Sequence, residues 1–263
     1  MKNRCTIEKY LDRINYDGDL TTCYDTLKRL VYCHFTSIPY ENLDILNHIP
    51  LSLEIPAIYD KIVNRRRGGY CFELNALLNW LLNSIGFQTE SYLARFMFNE
   101  PAGTIPIRRH RVMKTVIDGV DYIADVGVGI EVPLYPLQLC ENRETEIRGL
   151  LYRFERDLQL GWVLQCRNII KNENEWKNIY AFTEEYQHEI DFVQPNFWCQ
   201  YSPDSPLNMQ NKIALRTKTG KYTIDGSVFR IYELVESQLK ITERVFEPAE
   251  LKNLLSEFFG IVL

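Results

Sequence analysis

The hydrophobic period of this chain changes at Gly86, and that change limits the folds open to it. Just before it, Leu74, Leu77, Leu78, Leu81, Leu82 and Ile85 recur at i, i+3, i+4, i+7, i+8 and i+11, one face of an α-helix that Gly86 is placed to stop. The same spacing runs earlier through Ile7, Tyr10, Leu11 and Ile14. It returns through Leu27, Leu30, Val31 and His34, after Thr21 and Thr22 as expected caps. After Gly86 the pattern turns to short runs rich in Tyr, Val, Ile and Phe between turn signals at 99–103 and at Asp118-Gly119. Strands are expected over 88–98, 111–117, 120–126, 150–168, 212–224 and 228–235, and a last helix from about Pro248 to Phe259. The expectation is a helical first third followed by an antiparallel barrel or strongly bent sheet.

The 263 residues, 46% hydrophobic and 25% charged, suffice for one large domain or a few small lobes. A net charge of -5 argues against non-specific nucleic-acid binding, which requires clustered positive charge. Seven cysteines with no C-x-x-C pair indicate neither a disulfide framework nor a zinc site. The start MKNRCTIEKYLDR turns charged before a leader's apolar core forms, and no apolar run approaches the ~20 residues of a membrane span. A soluble cytoplasmic protein without membrane contact is expected.

The stretch 67-RGGYCFELN-75 carries the first candidate for chemistry. A helix beginning near Cys71 would set its thiol over unpaired backbone N–H groups and the positive helix end, which favour thiolate. Gly68 and Gly69 would allow positive φ and close approach to the sulfur. The plainer alternative is a buried structural cysteine.

A thiolate usually needs a base beside it. Of the four histidines, His34 lies on an apolar helix face, and His48 and His188 sit in polar loop-like stretches. His110 opens a strand that turns at Asp118-Gly119 and returns through Asp125. A two-residue hairpin pairs Ile117 with Val120 and Val116 with Asp121, and would bring His110 opposite Gly127. Asp125 is then a diagonal neighbour on the face of His110, about 7–8 Å away between backbones. Any even loop keeps that facing, and an odd one reverses it. Asp121 shares the face but lies nearer the turn, and His110 as a solvated member of the run Arg108–Arg111 is the competing reading.

Together, 38-IPYENLD-44, 67-RGGYCFELN-75, His110 on an apolar strand, 122-YIADVGVG-129 and 196-NFWCQYSPDSP-206 resemble the arylamine N-acetyltransferase family in order and spacing across most of the chain. The resemblance implies an α+β fold with a helical N-terminal lobe over 1–87, a central antiparallel β-barrel over 88–192 and a C-terminal α/β lid over 193–263. It implies a triad of Cys71, His110 and Asp125, a supporting ion pair of Arg67 with Glu41, and substrate or coenzyme A contacts at Gly127, Val128, Gly129, Phe72, Tyr201 and Ser205. The implied reaction moves an acetyl group from acetyl-CoA to an arylamine or hydrazine in two half-reactions, with no metal.

Val128 stands where an aromatic is common in the family, Tyr201 where threonine is usual and Leu207 where phenylalanine is common. These departures bear on acceptor choice and CoA contacts. Arg65, Arg66, Arg108 and Arg109 are candidates for CoA phosphates, against the plainer reading of a solvated basic face. Two other functions use the same residue order: a cysteine hydrolase or transglutaminase-like enzyme, and a non-catalytic homologue that binds aromatic ligands or CoA.

Overall fold

The structure, a computed structural model, describes residues 5–101, 103–129, 132–171, 173–235 and 238–263. Residues 1–4, part of the stretch expected not to form a leader, and Ala102 in the expected turn lie outside it.

The first third is helical: α1 (Ile7–Arg13), α2 (Tyr24–Ser37), α3 (Leu43–Leu46), α4 (Ile55–Tyr59) and α5 (Cys71–Ser84). Thr6 caps α1, its side chain accepting from the Lys9 N–H. The residue capping α2 is Cys23, so the helix starts one residue beyond the expected threonines. The α5 leucines 74, 77, 78, 81 and 82 are all buried, and Gly86 takes φ +99 just past its end.

Beyond Gly86 come β1 (Thr89–Phe96), β2 (Arg108–Ile117), β3 (Val120–Ala124), β4 (Leu137–Gln138), β5 (Thr145–Ile147), β6 (Leu150–Asp157), β7 (Gly161–Asn168) and β8 (Lys177–Phe182). They form one antiparallel sheet ordered β4-β3-β2-β1-β8-β7-β6-β5. A bridge from Glu141 to Phe154 ties the chain after β4 to β6 near the other edge, so the sheet nearly closes on itself. The β2–β3 turn has two residues, Asp118 and Gly119, both at positive φ (51 and 76), as a right-twisted two-residue hairpin requires. Ile117 pairs with Val120 and Val116 with Asp121, the register expected from the sequence.

The chain then forms α6 (Val193–Tyr201) and a four-stranded meander of β9 (Lys212–Arg216), β10 (Gly220–Asp225), β11 (Val228–Val235) and β12 (Gln238–Val245), closed by α7 (Leu251–Phe259). Leu254, Leu255 and Phe259 of α7 pack on Ile213, Ile224 and Phe229 to give this lid its own core. Sequence periodicity marked neither β8 nor β12. It read the stretch holding α6 only as rich in proline and aromatics, although Pro195 in the first turn is compatible with a helix.

The stretch Pro39–Glu41 joins the lobes. Tyr40 exchanges both backbone hydrogen bonds with Ala214 of β9 (2.8 and 2.9 Å), and the Glu41 N–H donates to the Gly69 carbonyl (2.8 Å). One lid strand is thereby held against the segment that leads into Cys71.

Candidate active site

Cys71 is the first residue of α5, and the chain before it is crowded rather than open. A Cβ on Gly68 would lie 2.2 Å from the Pro39 carbonyl oxygen, and one on Gly69 3.0 Å from the Glu73 carboxylate. Neither glycine has positive φ. The glycines thus serve the junction with Pro39–Glu41 rather than room at the sulfur, and the glycine that approaches Cys71 itself closely is Gly127. A Cβ there would stand 2.7 Å from Cys71 Cα and 2.6 Å from Asn75 Nδ2.

His110 Nε2 lies 2.7 Å from Asp125 Oδ2, and both side chains are buried. Asp125 Oδ1 accepts from Asn75 Nδ2 and from the Gly127 N–H, each at 2.8 Å. Asn75 also donates to the Arg111 carbonyl (2.5 Å) and accepts from the Val126 N–H (2.9 Å). One amide on the helix of Cys71 therefore fixes the strand of His110 and the carboxylate of Asp125. The sequence signal for it was its place one helical turn after Cys71. Asp121 instead faces Lys114 (3.8 Å), and His34 is a core residue bonded to the Tyr10 hydroxyl (2.7 Å), with burial lowering its pKa to about 3.

The Cys71 thiol donates to the Arg109 carbonyl at 3.7 Å and opens, with His110, on a cleft of about 460 Å³ between barrel and lid. Burial, then the proximity of Cys199 and Asp125, pushes this thiol well above its ordinary pKa, and the Arg109 charge with a backbone hydrogen bond at Arg111 only partly opposes it. The expectation that the helix start lowers the thiol's pKa is not met, because desolvation of a buried thiolate outweighs it. A lone thiolate is disfavoured here. One formed together with an imidazolium avoids a net buried charge.

The cleft is lined by Gly127, Val128 and Gly129, together with Tyr40, Phe96 and Phe98. Gly129 is pressed against Ala214 and Tyr40, its Cβ position 2.4 Å from the Ala214 methyl. Phe72, Tyr201 and Ser205 lie elsewhere. Phe72 is buried beside Phe192 and Tyr70, Tyr201 is on the outer face of α6 against Phe197, and Ser205 caps a 3₁₀ turn. Pro206 and Leu207 line the cleft in place of Ser205. Of the four basic candidates Arg109 alone lines it, whereas Arg65 pairs with Asp60, Arg108 with Glu185, and Arg66 is exposed.

Beneath the loop that leads into Cys71 lies a buried charge network. Arg67 donates to Glu41 (2.8 and 3.0 Å) and Asp44 (2.9 Å), and Lys61 bridges Asp44 (2.8 Å) and Glu73 (2.9 Å), whose carboxylate also accepts from the Tyr70 N–H. The resemblance implied the Arg67–Glu41 pair; Lys61 and Asp44 carried no such signal. Burial would lower Lys61, but Glu73, Glu41 and Asp44 outweigh it and hold its pKa above the ordinary value. Burial prevails at Glu73, raising its carboxyl despite Lys61, as expected where three carboxylates share two cations. Lys61→Met should cost about 3–5 kcal/mol by stranding buried carboxylates. A lower urea midpoint would show it, and an unchanged midpoint would mean the network contributes nothing.

The N-acetyltransferase family profile matches residues 24–263. Arylamine N-acetyltransferase from Escherichia coli (strain K12) is 34% identical over 258 residues, covering 97% of this chain and 88% of the relative. The Mycobacterium tuberculosis (strain H37Rv) enzyme of that name is 32% identical over 96% of this chain and 88% of its own length. The chain belongs to the arylamine N-acetyltransferase family. The fold agrees with solved family members. The Salmonella typhimurium structure superposes with a TM-score of 0.89 at 29% identity, covering 97% of this chain and 90% of that one. The Mycobacterium marinum structure in complex with CoA does so at 0.88 and 29%, covering 97% and 93%. The α+β architecture of helical lobe, barrel and lid is thus the family's. Among the described residues, no cluster of three or more His, Cys, Asp or Glu is placed to hold a metal ion, and no helix is long and apolar enough to cross a membrane.

Proposed function

We propose that this family member moves an acetyl group from acetyl-CoA to the nitrogen of an arylamine or arylhydrazine through an acetyl-Cys71 intermediate. The observation that carries the reading is the hydrogen bond of His110 Nε2 to an Asp125 carboxylate held by two further donors, in a cleft His110 shares with Cys71. With Nε2 so engaged, Nδ1 is the nitrogen left for the thiol proton.

In the first half-reaction His110 takes the Cys71 proton as the sulfur attacks the thioester carbonyl. First-turn N–H groups of α5 stabilise the developing oxyanion. The carbonyl re-forms, the C–S bond to CoA breaks, and the departing CoA sulfur takes the proton back from the imidazolium. In the second, the amine nitrogen attacks acetyl-Cys71, His110 accepts its proton, and the proton returns to the Cys71 sulfur as the amide leaves. The attacking amine must be neutral, so weakly basic arylamines and hydrazines are better acceptors near neutral pH than alkyl amines, which are largely protonated.

Val128 in the cleft wall belongs to acceptor selection on this reading, because a small side chain there leaves space for a bulkier ring. Brief mixing with acetyl-CoA alone, followed by intact-mass measurement and peptide mapping, tests the proposal. One acetyl group on Cys71 that an added arylamine discharges as N-acetyl product is the expected result. An acetyl group lost to water at the same rate with or without amine would indicate a hydrolase, and no label on Cys71 would overturn the reading.

A further inference from the structure

The residue before His110 is an arginine, and β2 is irregular there. Ala94 of β1 pairs with His110, but the next pair is Arg95 with Arg108, which leaves Arg109 as an extra residue in a β-bulge. Adjacent residues of a regular strand face opposite sides of the sheet. Here both Arg109 and His110 line the cleft, because the bulge turns Arg109 onto the face of its neighbour.

Arg109 is placed to meet a ligand. Its side chain is 14% exposed, and among the described residues its guanidinium makes one hydrogen bond, from Nη2 to Glu100 Oε1 at a long 3.4 Å. It lies 5.7 Å from the centre of the Phe96 ring, and Phe96 and Phe98 form the aromatic wall on this side of the cleft. Its own carbonyl accepts from the Cys71 thiol, so the cation belongs to the residue next to the sulfur.

Glu100 uses one donor of a group built to hold a carboxylate through two parallel N–H bonds. Coenzyme A phosphates do not suit this position. A thioester whose carbonyl is at Cys71 carries its phosphates beyond the length of the pantetheine arm, toward the lid strands, where the cleft is lined by Lys212, paired with Asp225, and Arg230, paired with Glu243. An anion that reaches Arg109 therefore sits on a reacting end, the acyl group or the amine. The aromatic wall beside it favours the amine, since an aryl ring stacked there directs a ring substituent at the guanidinium.

We propose that Arg109 is a specificity-determining residue that recognises a carboxylate on the arylamine acceptor, so that it favours aminobenzoates over uncharged para-substituted anilines. This rests on the transferase reading above. Glu100 competes for the same guanidinium, so removing its charge strengthens the preference.

The test compares 4-aminobenzoate with 4-methylaniline, acetyl-CoA being the donor, in wild type, Arg109→Gln, Arg109→Lys and Glu100→Gln. Taking the ratio of the two kcat/KM values within each protein and comparing it across proteins cancels the different basicities of the amines. Arg109→Gln is expected to lower the ratio about tenfold or more through KM, Arg109→Lys to recover part of it, and Glu100→Gln to raise it. If 4-methylaniline is acetylated and the ratio is the same in Arg109→Gln as in wild type, this inference is overturned while the transferase reading stands. Turnover of neither amine overturns both. A fourth arm compares malonyl-CoA with acetyl-CoA. If Arg109→Gln changes donor preference but not acceptor preference, the carboxylate is read on the acyl group and the acceptor assignment fails.

Discussion

Cys71→Ala is expected to take no acetyl group from acetyl-CoA and to lose arylamine acetylation by on the order of 10⁴ or more. The size of the effect follows from the route. If the acyl group passes through the sulfur, the amine and acetyl-CoA have no direct reaction path, and the remaining groups of the site have nothing to activate. Alanine fits the space of Cys71 among Tyr70, Phe72 and Cys199 with the loss of one atom, so the fold should survive. Circular dichroism would confirm that, and quantitative transfer by the folded variant would remove Cys71 as the nucleophile.

Asp125→Asn should lower the acetylation rate of Cys71 by about 10⁴-fold with the fold intact. The reason lies in the donors around Asp125 Oδ1. Asn75 Nδ2 and the Gly127 N–H both point at that atom, so an asparagine must place its carbonyl oxygen there. Its NH₂ then takes the position of Oδ2 and donates to His110 Nε2. The ring is driven into the tautomer with its proton on Nδ1, which can no longer accept the thiol proton. Burial already disfavours the Cys71 thiolate, so losing the base is not offset by an easily ionised thiol. Rapid-mixing measurement of acetyl-enzyme formation is the test. A near-wild-type rate would mean that His110 does not depend on Asp125.

The reach of the sequence differed from residue to residue. The period change at Gly86 separates helical lobe from barrel because helix and strand bury apolar side chains at different intervals, and those intervals are visible locally. The meeting of His110 with Asp125 was legible in part for a similar reason: the two-residue turn fixes the register from Ile117–Val120 to Met113–Ala124, and Asp125 follows directly, whereas the expected pairing of His110 with Gly127 is not among the pairs formed. Strands β8 and β12 left no such mark. The β8 segment 177-KNIYAF-182 owes its position to pairing with β1 and β7, which are distant in sequence.

What the sequence by itself determined is a cysteine at a helix start, a histidine and an aspartate carried by one hairpin, and the membership in a family that joins them. These depend on short-range spacing. Three further features were decided only by tertiary packing. The close backbone approach to Cys71 is made at Gly127, 56 positions along the chain, rather than at Gly68 and Gly69, because the loop after β3 closes directly over the helix start. The thiol is raised rather than lowered because burial is a property of the assembled lobes. Arg109 faces the cleft because β1 and β2 differ by one residue where they pair, a mismatch that no reading of either strand alone contains.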